Sequence, residues 1–408
     1  CYVNIGLRGR PPMPKLYIHI GTGKTGTTAI QDYLYSRIQD LSARNVHYWG
    51  INLEHAPALN RHSANRFAWQ TESGTGMLQQ MPLPQARCEL EQALRAAMDS
   101  LTPNAIAVWC NESIHERPEL YIPLFKSCQA DGGISITLFA YARNSRDYIR
   151  SAYKQWGVRH KTNYGRVLGF SQWILLMRKH LCYGEKLAQW DQEFPGAFHL
   201  INYDFLADVT HDFVSRLPQC TDLLPQQCRN RINATPADVS LALYALYNNQ
   251  FTEPVTPTTI EDLLSRYQLL DVDFKMDSLA MLFPTSDDIN DAVSALQSDA
   301  NLVNSILERH GQPQLTLKEC NGVEEDIVSE QSIVAGTMSL LLRILVEQEK
   351  RINALEQRTI KSRVIQLFAK YLYQVSASFA SSFPSRHLAA SSNSQKVTPF
   401  TGELSDSR

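Results

Sequence analysis

The feature that most constrains this chain is a glycine-rich segment between an apolar run and an amphipathic stretch. The apolar run covers 16–20, residues 21–28 read Gly-Thr-Gly-Lys-Thr-Gly-Thr-Thr, and apolar residues then recur at 30, 34, 38 and 41. The run predicts a buried strand and the recurrence predicts a helix. A loop that joins a strand to a helix points several backbone N–H groups at one position, with the positive end of the helix dipole behind them. The segment therefore predicts a site for a phosphate or sulfate group.

The side chains of this loop suit the same ligand. Glycine lets the backbone approach an anion closely, lysine adds a full positive charge, and threonine adds a hydroxyl donor. The residues expected to contact the anion are Gly23, Lys24, Thr25, Gly26, Thr27 and Thr28. An ordinary glycine-rich turn is the alternative, but the density of glycine, lysine and threonine favours an anion site.

The first 220 residues alternate short apolar runs with helical patterns. Further strands are predicted at 46–49, 105–110, 134–142 and 198–203, and further helices at 87–101, 145–157 and 205–217. Such alternation is typical of an α/β domain with a mainly parallel sheet flanked by helices. Together with the anion loop, it predicts a P-loop-like α/β core at 15–235.

The remaining sequence is mostly helical in pattern and then polar. We predict a helical subdomain at 236–319, a linker at 320–332, amphipathic helices at 333–383 and a disordered tail at 384–408. Residues 334, 338, 341, 345, 348, 352 and 355 follow one another in steps of four and three and are apolar except for Gln348. This pattern predicts either a short coiled coil that pairs two copies or a helix packed on its own domain. The basic amphipathic stretch at 360–375 could lie on a membrane surface or on a partner helix, or simply pack as a helix.

Composition excludes several classes of protein and favours a compartment. The formal net charge of −2 gives no global sign of nucleic-acid binding. The eight cysteines are scattered, with no pair at zinc-ligand spacing, which predicts free thiols, no metal and a reducing compartment. No apolar run reaches the roughly 18 residues of a spanning helix, and the first residues lack the apolar core of a signal peptide. We therefore expect a soluble, cytoplasmic protein.

A nucleoside-triphosphate loop is the main rival for the glycine-rich segment. Its pattern is G-x-x-x-x-G-K-[ST], and Gly23-Lys24-Thr25 fits the end of that pattern. The first glycine would fall at position 18, which is Ile18 and lies within the predicted strand. An ATP-dependent kinase is therefore retained only as an alternative.

The wider motif resembles the 5′-phosphosulfate loop of the sulfotransferase superfamily, in particular the bacterial branch that reads K-T-G-T-T-x-x-Q-x-x-L. Here that pattern runs from Lys24 to Leu34. The resemblance implies an enzyme that uses 3′-phosphoadenosine-5′-phosphosulfate (PAPS) as sulfuryl donor. It also implies that Lys24 neutralises charge on the leaving phosphate oxygen.

The same resemblance implies a second half of the donor site. The family binds the 3′-phosphate through an arginine at a strand end and a serine eight residues later, and Arg143 and Ser151 have this spacing. The family usually has a proline where Ser145 stands, and either residue suits the first turn of a helix. Arg231 is a candidate to replace a basic loop of cytosolic animal members that is not evident here.

Transfer to an acceptor also needs a general base close to the sulfur. Glu112 directly follows the strand predicted at 105–110, at the edge where α/β folds place ligands, and related glycan sulfotransferases use a glutamate. The histidines His62, His55 and His115 are its rivals, and His62 is kept among the catalytic candidates.

The acceptor is expected to be a glycan hydroxyl, with a lipid or another small molecule as alternatives. A non-catalytic scaffold with a sulfotransferase-like fold is the second alternative function. The presence of Lys24, Arg143 and Ser151 argues against it.

Overall fold

The computed structural model describes residues 13–56, 66–130, 134–225, 251–256 and 284–316, with further single positions between 241 and 249, at 265 and between 337 and 367. Within these residues, five strands form one parallel sheet in the order β2-β3-β1-β4-β5. The strands are β1 (Lys15–Gly21), β2 (Val46–Tyr48), β3 (Ile106–Cys110), β4 (Ser135–Ala142) and β5 (Phe198–Asn202). Each lies within one or two residues of a predicted strand, so the α/β class with a parallel sheet is confirmed.

Helices flank the sheet on both faces. They are α1 (Thr27–Ser36), α2 (Ile38–Ser42), α3 (Thr75–Gln80), α4 (Leu83–Asp99), α5 (Pro118–Ala130), α6 (Ser145–Ala152), α7 (Phe170–Leu181), α8 (Gly184–Glu193), α9 (Val209–Ser215), α10 (Ser286–Ala295) and α11 (Gln297–Arg309). The helix predicted at 145–157 is partly wrong: α6 ends at Ala152 and continues as a π-helix, Tyr153–Arg159. The helix predicted at 205–217 is shorter, because a 3₁₀ turn, Tyr203–Phe205, precedes α9.

Side chains along the central strand β1 point alternately to the two faces of the sheet, and each face has its own hydrophobic core. Leu16 and Ile18 of β1 pack in one cluster with residues of α4, α5 and α8. Tyr17 points to the other face and packs in a second cluster with residues of α1 and α9, among them Leu34 and Phe213. A strand that is buried on both faces explains why its sequence is an unbroken apolar run.

The topology brings three strand ends to one edge of the sheet. β1 lies between β3 and β4, and all three run in the same direction. The loops after these strands therefore emerge side by side at the carboxyl edge, where open α/β sheets bind their ligands. The glycine-rich loop, Glu112 and Arg143 each follow one of these strands.

Helices α10 and α11 pack on the sheet domain. α11 contacts α8 and β5, and α10 contacts α6 and α7. Two outward amides of the edge strand β5 donate to side chains that follow α11: Leu200 N to His310 Nδ1 at 2.8 Å, and Asn202 N to Gln312 Oε1 at 3.3 Å. These contacts cover a strand edge that would otherwise expose unpaired backbone groups.

Several predicted segments lie wholly or mostly outside the described residues: the linker at 320–332, the coiled coil at 334–355, the basic stretch at 360–375 and the tail at 384–408. Contacts between Cα atoms divide the chain into two compact units, Cys1–Leu340 and Leu341–Arg408. The domain boundaries and the helical subdomain at 236–319 stay predictions. Among the helices in the described part of the chain, none has both the length and the apolar character needed to cross a membrane.

Candidate anion-binding site

The glycine-rich loop is held by its own hydroxyls and by the neighbouring strand. Thr22 Oγ1 donates to the backbone oxygen of Tyr141 in β4 at 2.8 Å, and Thr25 Oγ1 donates to the backbone oxygen of Thr22 at 2.6 Å. The hydroxyl of Thr25, which we expected to face the anion, is thus used inside the loop.

Two glycines lie where the loop packs closely against neighbouring side chains. Gly26 has a left-handed backbone with φ +83°, and a Cβ atom there would lie 2.6 Å from Cγ1 of Val209 in α9. A Cβ atom at Gly23 would lie 3.2 Å from the ring of Trp156. The loop therefore packs closely between α9 and the π-helix: a side chain at position 26 would clash with Val209, and one at position 23 would require the Trp156 ring to shift slightly.

The N-terminus of α1 is open to an anion. Its N-cap residue is Gly26, which provides no side-chain cap, and its first turn contains no acidic residue. The first amides of a helix have no partner within the helix, and together with the dipole they favour negative charge. The buried hydroxyl of Thr27 lies beside the Glu112 carboxyl, whose pKa it lowers. These donors match the predicted site at Thr27 and Thr28.

Lys24 is half-buried in the middle of the loop. Its backbone is left-handed (φ 63°), which is uncommon for a residue with a side chain, and its Nζ lies 5.5 Å from the centre of the Trp156 ring. Burial lowers the pKa of Lys24 to about 8; the Glu112 carboxylate opposes this shift, and the charges on Arg159 and Arg143 add to it. Lys24 is therefore a cation at neutral pH, but one that gives up its proton more easily than a surface lysine.

Arg143 directly follows β4 and reaches the loop. Its Nη1 donates to the backbone oxygen of Lys24 at 3.2 Å, and its guanidinium carbon lies 5.5 Å from the centre of the Tyr203 ring. Its Nη2 is 3.8 Å from Asp147 Oδ2, while its buried Nε has no hydrogen-bond partner. The two strand ends predicted to grip one ligand therefore meet in space.

Ser151 lies on α6, which begins directly after Arg143 and Asn144. Asn144 forms the N-cap, because its side chain accepts a hydrogen bond from the backbone N–H of Asp147. Asn144 N also donates to Asp204 Oδ2 at 2.8 Å, which ties the start of α6 to the segment after β5. Ser151 sits half-buried near the end of this fixed helix.

Glu112 follows β3 and faces Lys24. Burial raises the pKa of Glu112, and Lys24 opposes this shift, as does the nearby hydroxyl of Thr27. A carboxylate whose pKa is raised is a stronger base than an exposed one, which suits it to accept a proton. The structure thus places the predicted base next to the predicted anion site.

Of the three histidine candidates, His115 and His55 lie in the described part of the chain. His115 is buried with its Nδ1 2.5 Å from the backbone oxygen of Glu112, and burial lowers its pKa, so it packs beneath the loop as a neutral ring. His55 lies between the rings of Tyr35 and Tyr48. His62 lies outside the described residues, as does the donor-site candidate Arg231.

The π-helix supplies residues that sequence reasoning missed. Trp156 packs on Gly23 and flanks Lys24, and the charge of Arg159 lowers the pKa of Lys24. The neighbouring His160 has its pKa lowered to about 4 by burial and by the charges of Arg159 and Lys24. One signal was present in the sequence: Gly157 interrupts a helical pattern between an aromatic and a basic residue.

Comparison with known proteins does not assign this site. No family model matches the chain, and the curated proteins include no match to it. The family named from the loop motif therefore stays a prediction, and the geometry of the carboxyl edge has to support the function.

Proposed function

We propose that this protein is a sulfotransferase that moves a sulfuryl group from PAPS to a hydroxyl or amine acceptor. The observation that carries the proposal is the hydrogen bond from Arg143 Nη1 to the backbone oxygen of Lys24. It means that an open helix N-terminus and a strand-end arginine lie within reach of a single small ligand. PAPS needs anion sites for both a 5′-phosphosulfate and a 3′-phosphate, whereas ATP has no 3′-phosphate.

Two groups of residues would bind the two phosphorylated ends of PAPS. The 5′-phosphosulfate lies against the amides of the loop and the first turn of α1, with Gly23 and Gly26 allowing close approach. The 3′-phosphate lies against the guanidinium of Arg143, whose planar fork of donors suits phosphate oxygens, and against the hydroxyl of Ser151.

Chemistry would take place between Lys24 and Glu112. The acceptor oxygen or nitrogen gives its proton to the Glu112 carboxylate and forms a bond to sulfur, while the bond from sulfur to the phosphate oxygen breaks. The ammonium of Lys24 stabilises the charge that develops on that leaving oxygen. The products are the sulfated acceptor and adenosine 3′,5′-bisphosphate, and this scheme calls for no metal.

Binding tests this proposal more sharply than turnover, because the acceptor is not yet identified. Adenosine 3′,5′-bisphosphate and adenosine 5′-monophosphate differ only in the 3′-phosphate. By calorimetry, Arg143→Gln should weaken binding of the bisphosphate about 10- to 100-fold, as expected for a charged hydrogen bond, and weaken binding of the monophosphate much less. Arg146→Gln is the matched control, since Arg146 donates to Asn290 in α10.

Binding of ATP distinguishes the proposed sulfotransferase from the alternative, an ATP-dependent kinase. A kinase site would bind ATP with Mg²⁺ more tightly than the bisphosphate, and Arg143→Gln would then have no selective effect on the bisphosphate. Transfer of labelled sulfate from PAPS to a panel of glycans, lipids and small hydroxyl compounds identifies the acceptor, with glycans as the proposed class. Lys24→Ala should abolish transfer with the fold retained, and Lys126→Ala, which removes a partner of Glu193 on α8, should not.

The proposals on location and partners rest on sequence. A cytoplasmic location is supported by the free thiols at positions such as Cys88 and Cys110. Pairing of two copies through 334–355 and membrane contact through 360–375 remain proposals, testable by sedimentation and by vesicle binding.

A further inference from the structure

The turn that carries Glu112 is bonded to the end of β1 on both sides of that residue. Asn111 N donates to the backbone oxygen of His19 at 3.0 Å, and His115 N donates to the backbone oxygen of Ile20 at 3.1 Å. These bonds extend the contact between β3 and β1 beyond the last residue of β3. The turn is therefore fixed on the strand that leads into the glycine-rich loop.

The side chain of His115 adds a bond to Glu112 itself. His115 is buried, with 4% of its surface exposed, and its Nδ1 lies 2.5 Å from the backbone oxygen of Glu112. Because a carbonyl oxygen only accepts hydrogen bonds, Nδ1 carries the proton and is the donor. The indole Nε1 of Trp190 in α8 donates to the backbone oxygen of His115 at 3.4 Å. His115 is thus held by β1 and α8, and its ring in turn holds the backbone of Glu112.

Gly21 brings the glycine-rich loop against this hydrogen bond. Its φ is +124°, and a Cβ atom there would lie 2.7 Å from Nδ1 of His115 and 2.8 Å from the backbone oxygen of Glu112. Only a residue without a side chain lets the end of β1 lie so close to both atoms. The bond between His115 and Glu112 therefore packs directly on the first residue of the loop, and the base and the anion site share one support.

The position of the Glu112 backbone decides where its carboxyl group lies. That carboxyl group is buried beside Thr27 and Lys24, so it has little freedom of its own. A general base must lie within hydrogen-bond reach of the proton that it accepts. A misplacement of about 1 Å can lower a rate about 10²-fold. A small shift of the turn would therefore affect proton transfer more than it affects binding of the donor.

We propose that His115 is a positioning residue, whose Nδ1–H fixes the backbone of Glu112 and so holds the carboxylate in place beside the donor bound on the glycine-rich loop. The inference rests on the proposed function and gives His115 a role other than that of the base. His115 exchanges no proton with the acceptor and acts through Glu112 alone.

Variants at position 115 separate the hydrogen bond from the bulk of the ring. Leucine and asparagine branch at the same atom, but only the asparagine amide can donate from the position of Nδ1. His115→Leu should lower kcat about 10- to 100-fold and change the Kd of adenosine 3′,5′-bisphosphate and the KM of the acceptor by less than about twofold. His115→Asn should have a kcat within about threefold of wild type. His115→Gln, whose longer amide does not donate from the position of Nδ1, should show the loss seen in His115→Leu and replaces it if that variant does not fold.

The probe reaction is release of labelled sulfate from PAPS with water as acceptor, repeated with the best acceptor from the panel. A double-mutant cycle with Glu112→Gln then tests whether His115 acts through the base. In the Glu112→Gln background, His115→Leu should change the residual rate less than about twofold, because there is no base left to position. His310→Ala is the control for stability, since it removes a buried hydrogen bond to Leu200 on the edge strand β5 and should leave kcat as in wild type.

The outcomes separate the role of His115 from the function itself. If wild type transfers sulfate neither to water nor to any compound in the panel, the proposed function fails and the role of His115 fails with it. If wild type is active and His115→Leu keeps its kcat, the function stands and the positioning role is wrong. The role is equally wrong if His115→Asn recovers no activity, or if His115→Leu loses as much activity without Glu112 as with it.

Discussion

Replacing Gly26 by alanine perturbs the loop at the point where it enters α1. Two costs follow from the structure. A left-handed backbone costs a residue with a side chain about 1–2 kcal/mol. The new Cβ would lie 2.6 Å from Cγ1 of Val209, well inside the usual contact of about 3.5–4.0 Å, and such overpacking costs about 1–3 kcal/mol.

Alanine also restricts the unfolded chain, which returns about 0.4–1 kcal/mol. The expected loss in the free energy of unfolding for Gly26→Ala is therefore roughly 2–4 kcal/mol, measured by urea denaturation. Gly196→Ala is the matched control, because Gly196 has φ +73° and a Cβ added there would meet no atom within 4 Å. It should lose only about 1 kcal/mol, the backbone cost less the unfolded-state gain.

A double mutant isolates the clash. Val209→Ala alone removes two methyl groups and should cost about 1.5 kcal/mol. Gly26→Ala combined with Val209→Ala should be less destabilised than the sum of the single changes by about 1–3 kcal/mol. If Gly26→Ala costs no more than Gly196→Ala, or if the two changes at 26 and 209 are additive, the packing account of the loop is wrong.

Three further predictions concern charge and burial. Binding of adenosine 3′,5′-bisphosphate should weaken as pH rises through about 8, by up to tenfold per unit, because Lys24 then loses its proton; Lys24→Arg should remove this limb in calorimetric titrations. Glu112→Gln should lower the rate of sulfuryl transfer about 10²- to 10⁴-fold but retain bisphosphate binding. Transfer by the wild type should fall as the pH drops through the raised pKa of Glu112, because a protonated base accepts no proton. His310→Ala should lower the free energy of unfolding by about 1–3 kcal/mol, since the amide of Leu200 loses its acceptor, whereas His180→Ala on the exposed face of α7 should change it little.

Much of the sheet and the loop could be predicted because the signals are local. β1 is buried on both faces, so its sequence is a continuous apolar run, and the glycines mark the turn that follows. Glu112 could be placed at the site because parallel strand ends share an edge, which requires only that the strand before it is recognised. Neither inference needs knowledge of side-chain packing.

The π-helix could not be predicted for the opposite reason. Apart from Gly157, its sequence continues the helical pattern of α6. The wider turn depends on how the ring of Tyr153 packs over Gly157 and how Trp156 meets Gly23. These contacts join residues whose neighbourhood is set by the tertiary fold. The orientation of the Thr25 hydroxyl could not be predicted for the same reason, because the sequence fits equally a hydroxyl that faces a ligand and one that bonds within the loop.

The pairing of Lys24 with Glu112 at the carboxyl edge of the sheet sets the order of donor binding and acceptor deprotonation. Burial favours the neutral form of both groups, and the charge of each opposes that shift in the other. An anion bound on the loop becomes a new partner for Lys24 and stabilises its charge, while its own negative charge makes Glu112 more basic. Arrival of the donor thus strengthens the cation needed by the leaving oxygen and the base needed by the acceptor in one step. On this reasoning the donor binds before the acceptor is deprotonated, and the proton uptake that accompanies bisphosphate binding near pH 8 should be lost in Lys24→Ala.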